Sequence, residues 1–599
     1  MEMPVSDAPT KPVSATTAAL DASERLTRLF TRSQAAMRSV VKRQMESLGG
    51  HPDPLNLREP TLQLLGALMR HPSHLLRAEL TLWWKHMQLV GRQLQRATGS
   101  EAAPLVSPEP GDKRFRAAEW SESMFFDTLK QSYLLTGKWI RETLSGVDGL
   151  DERNRQRVDF FARQYISALS PTNFALTNPE VIAETVKTGG ENLLRGLEAF
   201  LDDVRAGDGQ LKVRLTDETA FVVGKDIATS PGKVVFQTPL AQLVQFLPTT
   251  EVQHERPLLI VPPWINKYYI LDLRPDNSFI KWATGQGHTV FVLSWVNPTR
   301  ELAKKTFEDY MREGTLAALD AIEKATGAKQ VNAVGYCLGG TLLACTLGYL
   351  AAAGEDRIAS ATFLASLADF TEAGDLRLFI DEAQVKAIEE RMEKQGYLDE
   401  QAMAFSFNAM RENDLVWAYV IHNYLLGRAP VPFDLLFWNA DATRMPAAMH
   451  SFYLRKMYLE NRLVQPGGLT LLGKSIDLRQ VKVPVYLLSL DDDHIAPWRA
   501  TYKATQVYGG PVEFVLGGSG HIAGVVNPPA KGKYGFRTHT TTPADPSEWL
   551  AQSTSQKGSW WTHWQAWVGP KAGQPVPART PGDGGLAVLE NAPGSYVLG

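Results

Sequence analysis

Cysteine is almost missing from this chain, with two residues in 599, Cys337 and Cys345. Two thiols cannot build a disulfide framework, and so low a content fits a reducing compartment. No apolar run reaches 18 residues, so no segment reads as a membrane-spanning helix. The stretch MEMPVSDAPTKPVSATTAA at the amino terminus is polar and rich in Pro, Ala and Thr, without the charged-then-apolar order of a secretion signal. These absences predict a cytoplasmic protein whose contact with any hydrophobic phase is peripheral. Charge is balanced, with 62 Lys plus Arg against 65 Asp plus Glu, which argues against a nucleic-acid surface. No internal repeat and no metal-ligand cluster is visible, so neither a metal nor another cofactor is expected.

What is present is a globular composition, 44% hydrophobic, long enough for more than one domain. Its most informative stretch is Val331 to Gly340, VNAVGYCLGG, a buried-strand pattern ending on Gly335-Tyr336-Cys337-Leu338-Gly339 and running into an apolar helix. The arrangement Gly-x-nucleophile-x-Gly describes a strained strand-to-helix turn, with glycines where backbone must approach backbone. Cys337 then projects over the sheet edge, and the Leu338 N–H faces an oxyanion at the start of a helix.

A Cys in such a string is equally compatible with plain core packing, so the surrounding elements decide. Apolar, β-branched runs recur at Pro257 to Val261, His288 to Ser294, Val331 to Gly335, Ile358 to Leu364, Val481 to Leu490 and Pro511 to Leu516. Helical spacing separates the first few, at Leu302 to Thr326 and Thr341 to Ala353. Strands alternating with helices predict a parallel sheet covered on both faces. The run VPVYLLSL ends in Asp491-Asp492-Asp493-His494, and the next run, PVEFVL, ends in Gly517-Gly518-Ser519-Gly520-His521. Nucleophile, acid, then histidine, at carboxyl ends of strands, is the order of the α/β-hydrolase fold.

Chemically, Cys337 is the expected nucleophile and His521 its base, with an Asp to orient the imidazole and stabilise its charged form. A free thiol ionises only near pH 8.5 or so, and a neighbouring imidazolium and a helix amino terminus favour the thiolate. An acyl-Cys thioester is about as reactive as the thioester of a pantetheine carrier. Exchange therefore runs near equilibrium, which favours acyl transfer over hydrolysis. The residues alone do not choose among Asp491, Asp492 and Asp493. The second oxyanion donor is expected in the loop Pro262-Pro263-Trp264-Ile265-Asn266; proline has no N–H, leaving Trp264 or later, with Ile265 preferred. Loop capping is the expectation for Asn266 and Asp272.

Several segments carry a resemblance: VPPWINKYYILDL (261–273), GYCLGGT (335–341), FWNAD (437–441), DHIAPW (493–498), GHIAGVVNPP (520–529) and GSWW (558–561). Together they resemble the polyhydroxyalkanoate synthases, over about Phe115 to Val568, and Tyr336 and Leu338 around the Cys resemble the single-subunit class I type. The resemblance implies polymerisation of (R)-3-hydroxyacyl-CoA, mainly short-chain, into storage polyester with release of CoA. It also implies that Asp493 is the catalytic Asp, assisting His521 or activating the monomer hydroxyl, and it implies homodimers associated with storage granules and their coat proteins.

The remaining regions were assigned by pattern. Residues 1–20 are expected to be disordered. Residues 21–210 read as helical, for example Ser23 to Met45, Thr61 to Ala97, Glu122 to Gly137 and Glu180 to Val204, and resemble the family's granule-targeting domain. The catalytic domain is placed at 211–570, entered through a β-rich piece, LKVRLTDETAFVVG. A Phe/Tyr/Trp-rich insertion of about 369–478 is expected to be a cap, and the resemblance implies that it covers the thiol and takes part in dimerisation. The Pro/Gly-rich tail, 571–599, is expected to be disordered. Gly468 to Ser475, GLTLLGKS, satisfies a P-loop pattern letter for letter, but no strand feeds it and no helix has room to follow, so nucleotide hydrolysis is not expected. Cys345 falls in the elbow helix and is expected to be core.

Overall fold

The structure, a computed structural model, describes residues 58–599 apart from 71, 101, 148, 210, 401 and 403–415, together with 28–29, 31–36, 38–39 and 402. The expected disorder of 1–20 and most of the helix Ser23 to Met45 lie outside the described residues.

An eleven-stranded sheet organises the carboxyl-terminal two thirds. In chain order its strands are β1 (Gly232–Gln237), β2 (Ala241–Phe246), β3 (Leu258–Val261), β4 (Val290–Trp295), β5 (Val331–Tyr336), β6 (Ile358–Leu364), β7 (Val485–Leu490), β8 (Val512–Gly517), β9 (Phe536–Thr538), β10 (Thr554–Gln556) and β11 (Glu590–Asn591). Their spatial order is β10-β9-β8-β7-β6-β5-β3-β4-β2-β1-β11. The middle six, β4-β3-β5-β6-β7-β8, are parallel, and antiparallel strands flank them on both sides. These six are the six apolar runs of the sequence. Parallel strands packed on both faces need apolar side chains at successive positions, and β3 to β5 and β7 are buried throughout. One apolar cluster covers each face. The elbow helix, Leu338–Ala353, belongs to the first with Leu343 and Leu347, and Trp560, Trp561 and Trp564 belong to the second.

Two expectations are corrected. The piece from Leu211 forms no strand: it runs irregularly along the cap, where Asn423 donates to Arg214 O and Thr216 donates to Val431 O. The first strands come later, at β1 and β2. The tail is also ordered. Pro575–Pro577 pairs with Val252–His254, β11 extends the sheet edge beside β1, Tyr596 Oη donates to Thr238 O, and Val597 is buried. Composition signals disorder here, but backbone pairing with existing strand edges supplies the order.

The helical region resolves into Arg58–Arg70, Pro72–Ala97, Met124–Ser145, Glu152–Ala168, Pro179–Thr188 and Glu191–Ala206. It seats on the insertion between β6 and β7. Buried Arg157 donates to Leu378 O and pairs with Asp381, Asn192 donates to Leu425 O, and Tyr424 Oη donates to Asp203.

Candidate active site

β5 delivers Cys337 to the sheet edge, where it adopts φ 51°, ψ −120° before the elbow helix begins. That backbone is strained for a residue with a Cβ, and the glycines around it are fixed by contact. A methyl on Gly335 would lie 2.5 Å from Gly340 Cα, and one on Gly339 would lie 2.1 Å from Val261 O; one on Gly340 would strike Ser366 Oγ at 2.0 Å. The turn closes only because these side chains are absent.

β7 ends at Leu490, and the three adjacent carboxylates that follow part company there. Asp491 and Asp492 face solvent, whereas the Asp493 carboxylate is wholly buried. Its Oδ1 accepts from Ile495 N (2.8 Å) and Ala496 N (2.9 Å), and its Oδ2 lies 2.7 Å from His521 Nδ1. His494 is half-buried and does not line the thiol cavity. His521 arrives on the loop after β8, stacked on Tyr336 at 5.7 Å, whose hydroxyl donates to His521 O. Trp560 and Trp561 hold the same loop from behind, donating to Gly524 O and Val525 O. Burial works against charge on His521, but the Asp493 carboxylate, the Cys337 sulfur and hydrogen bonds to both hold its pKa well above the ordinary imidazole value. Such a histidine keeps its proton beside the sulfur, which is the condition for a thiolate–imidazolium pair.

Leu338 and Ile265 both border the cavity that contains Cys337. Among the described residues neither backbone N–H donates a hydrogen bond, so both are available to an oxyanion. The cap fixes the Ile265 loop: Thr443 N donates to Ile265 O and Thr443 Oγ1 to Trp264 O. Nearby, Tyr269 Oη and Lys267 Nζ both engage Asp441, and Trp438 Nε1 donates to Lys267 O. VPPWINKYYILDL and FWNAD, remote in sequence, are thus one joint between sheet and cap. Asp272 is structural, accepting from Ser230 and Ser278 while burial raises its pKa to about 6.

The cavity measures about 100 Å³. Residues Leu376, Phe379, Ile380, Tyr453 and Leu454 of the insertion line it together with Cys337. One wall residue, His450, has no prominence in the sequence; the available signal is a lone polar ring inside the apolar run AAMHSFYL. Cys345 is fully buried in the first core cluster, and burial pushes its thiol pKa up, away from reactivity. Gly468 to Ser475 is a hairpin, Leu469–Leu471 against Lys474–Ile476, with no phosphate-binding helix.

An α/β-hydrolase fold with a thiol on its elbow and an Asp-paired histidine beside it defines the class of this protein, a cysteine member of that fold. Family models agree: the alpha/beta hydrolase fold matches residues 272–528, and the poly-beta-hydroxybutyrate polymerase (PhaC) N-terminus matches 111–283. The chain is 52% identical over 530 residues to a poly(3-hydroxyalkanoate) polymerase of Methylorubrum extorquens, covering 88% of this chain and 87% of that one. It is 50% identical to the poly(3-hydroxyalkanoate) polymerase subunit PhaC of Rhizobium etli, covering 86% and 81%, and 42% identical to that of Cupriavidus necator, covering 81% and 83%. The chain belongs to the poly(3-hydroxyalkanoate) polymerase family.

Proposed function

We propose that this protein polymerises (R)-3-hydroxyacyl-CoA, mainly short-chain units, into polyester with release of CoA, through acyl groups carried on Cys337. The observation that carries the reading is the strained elbow thiol facing an Asp-paired, proton-retaining histidine beneath an apolar cap. Cys337 attacks the thioester carbonyl while the oxyanion rests on the Leu338 and Ile265 N–H groups, and as the CoA–acyl bond breaks CoA leaves as the thiol with the proton of His521. The 3-hydroxyl of the next unit then attacks the acyl-Cys337 carbonyl, giving its proton to the now neutral His521, and the carbon–sulfur bond breaks to return the Cys337 thiolate; the lengthened chain, now a CoA thioester, reacylates Cys337 in the next round. Asp493 acts through His521: both of its oxygens are occupied and its carboxylate is wholly buried, so orientation suits it better than direct proton abstraction from the monomer. The apolar roof supports transfer over hydrolysis, because water has few partners there.

Among the described residues the helical amino-terminal region carries no such constellation. Its Pro72–Ala97 helix exposes Leu76, Leu80, Trp83, Trp84, Met87, Val90 and Leu94, an apolar face suited to a granule surface or a second copy of the chain. Mixing the protein with 3-hydroxybutyryl-CoA while following free CoA and turbidity tests the reading. CoA with turbidity is expected. CoA with soluble 3-hydroxybutyrate would make the protein a thioesterase, and no CoA would leave it a scaffold.

A further inference from the structure

One polar side chain on the wall of the thiol cavity has a ring nitrogen that neither the proposed chemistry nor, among the described residues, any hydrogen bond uses. His450, on the cap helix Ala447–Tyr453, is 3% exposed, and among the described residues its Nδ1 has no hydrogen-bond partner. Other polar side chains on that wall are served: Thr341 donates to Leu367 O, and Tyr453 and Tyr458 hydrogen-bond each other. A buried polar nitrogen without a partner is unfavourable, and such exceptions gather where a ligand completes the set. Burial also lowers the His450 pKa to about 4, so the ring is neutral near pH 7 and offers one donor and one acceptor rather than a charge.

This reasoning rests on the proposed function and names a contact within it. An acyl group on Cys337 is apolar except at its carbonyl, which the Leu338 and Ile265 N–H groups serve, and at its 3-hydroxyl, which needs its own partner. We propose that His450 binds the 3-hydroxyl of the acyl unit on Cys337 and so selects 3-hydroxyacyl over unsubstituted acyl thioesters.

First-turnover CoA release is measured with (R)-3-hydroxybutyryl-CoA and with butyryl-CoA, for the full chain and its His450→Phe and His450→Asn variants. The unaltered protein is expected to prefer the hydroxylated thioester. His450→Phe should lower that preference about tenfold or more by slowing the hydroxylated substrate alone, and His450→Asn, which keeps a donor and an acceptor, should recover part of it. Butyryl-CoA is the control for folding. No preference in the unaltered protein, an unchanged preference in His450→Phe, or equal slowing of both thioesters in both variants overturns the assignment. Failure of both thioesters to acylate the unaltered protein is distinguishable from these, since it defeats the proposed function and the inference with it.

Discussion

Gly335 to Gly340 and Gly468 to Ser475 are two glycine-rich segments, the first satisfying the nucleophile-elbow pattern with Cys in place of Ser and the second satisfying the P-loop pattern letter for letter. In the first, a parallel strand feeds in, a sixteen-residue helix leads out, and each glycine is pressed against backbone or a buried side chain. In the second, two three-residue strands meet at a turn whose central residues, Leu472 and Gly473, both have positive φ. A methyl on Gly473 would meet nothing within 4 Å. There the glycine serves a hairpin turn, not close approach to a ligand. A motif's letters state which side chains are small; only flanking elements state what the smallness is for.

The sharpest contrast comes from Cys337. Cys337→Ala should lower CoA release and acylation by more than about a thousandfold, with no change in melting temperature. Single-turnover assays with labelled thioester check this, and residual acylation at another site would remove the elbow from the chemistry. Next in size is Gly339→Ala. Its Cβ would fall 2.1 Å from Val261 O and 2.6 Å from Pro262 O, both backbone atoms that cannot step aside. The expected result is loss of soluble folded protein, or a melting temperature lowered by many degrees together with lost acylation. A normal melt with full activity would mean that the elbow tolerates a side chain after all.

Asp493→Asn comes third, with acylation and elongation slowed together, on the order of a hundredfold. Removing the carboxylate takes away the chief influence holding the His521 proton, so the pKa of His521 falls and the alkaline limb of the acylation profile moves to lower pH. Stability follows the same sign. A histidine with a raised folded pKa contributes fully below its unfolded value of about 6.5, and the contribution fades as pH climbs through the folded value. The unaltered protein should therefore lose melting temperature towards alkaline pH more steeply than Asp493→Asn. Elongation lost far more than acylation would return Asp493 to the role of base for the monomer hydroxyl.

Cys345→Ser is smaller again. The sulfur is buried in core, eight residues past the nucleophile, and a buried hydroxyl there costs about 1–3 kcal/mol if unpaired. The melt should drop by a few degrees while activity per folded molecule holds; comparable activity losses for both cysteines would break the distinction between them.

The same contrast explains what could be read in advance. The six parallel strands announced themselves because burial on both faces leaves predominantly apolar runs, and the order Cys337, Asp, His521 follows from strand ends sharing one edge. The choice of Asp493 over Asp491 and Asp492 could not be read from three identical letters, since it depends on the Ile495 and Ala496 amides and on where His521 lands. β1 and β2 were missed because Gln237, Gln242 and Gln245 interrupt their apolar pattern, the buried glutamines being partnered by distant groups such as Glu590 and Arg579 O. Ordering of 571–599 was invisible for a related reason: its partners are the edges of strands more than 300 residues earlier. His450 needed the cavity itself.

The smallest effect belongs to the hairpin. Lys474 would be the phosphate-binding lysine if GLTLLGKS were a P-loop, yet it lies exposed on a two-stranded hairpin whose anchor is Glu308, accepting from Leu472 N. A working P-loop needs successive backbone N–H groups turned towards phosphate at the start of a helix; here the chain goes from strand to turn to strand, with 469–471 paired to 474–476 and the Leu472 N–H given to Glu308. Lys474→Ala should therefore change stability by no more than about 0.5 kcal/mol and leave acylation untouched. Melting curves with and without magnesium and ATP should superimpose for both proteins. A rise in melting temperature with nucleotide in the unaltered protein that disappears in Lys474→Ala would show phosphate bound at the hairpin, and the contrast between the two glycine-rich segments would collapse.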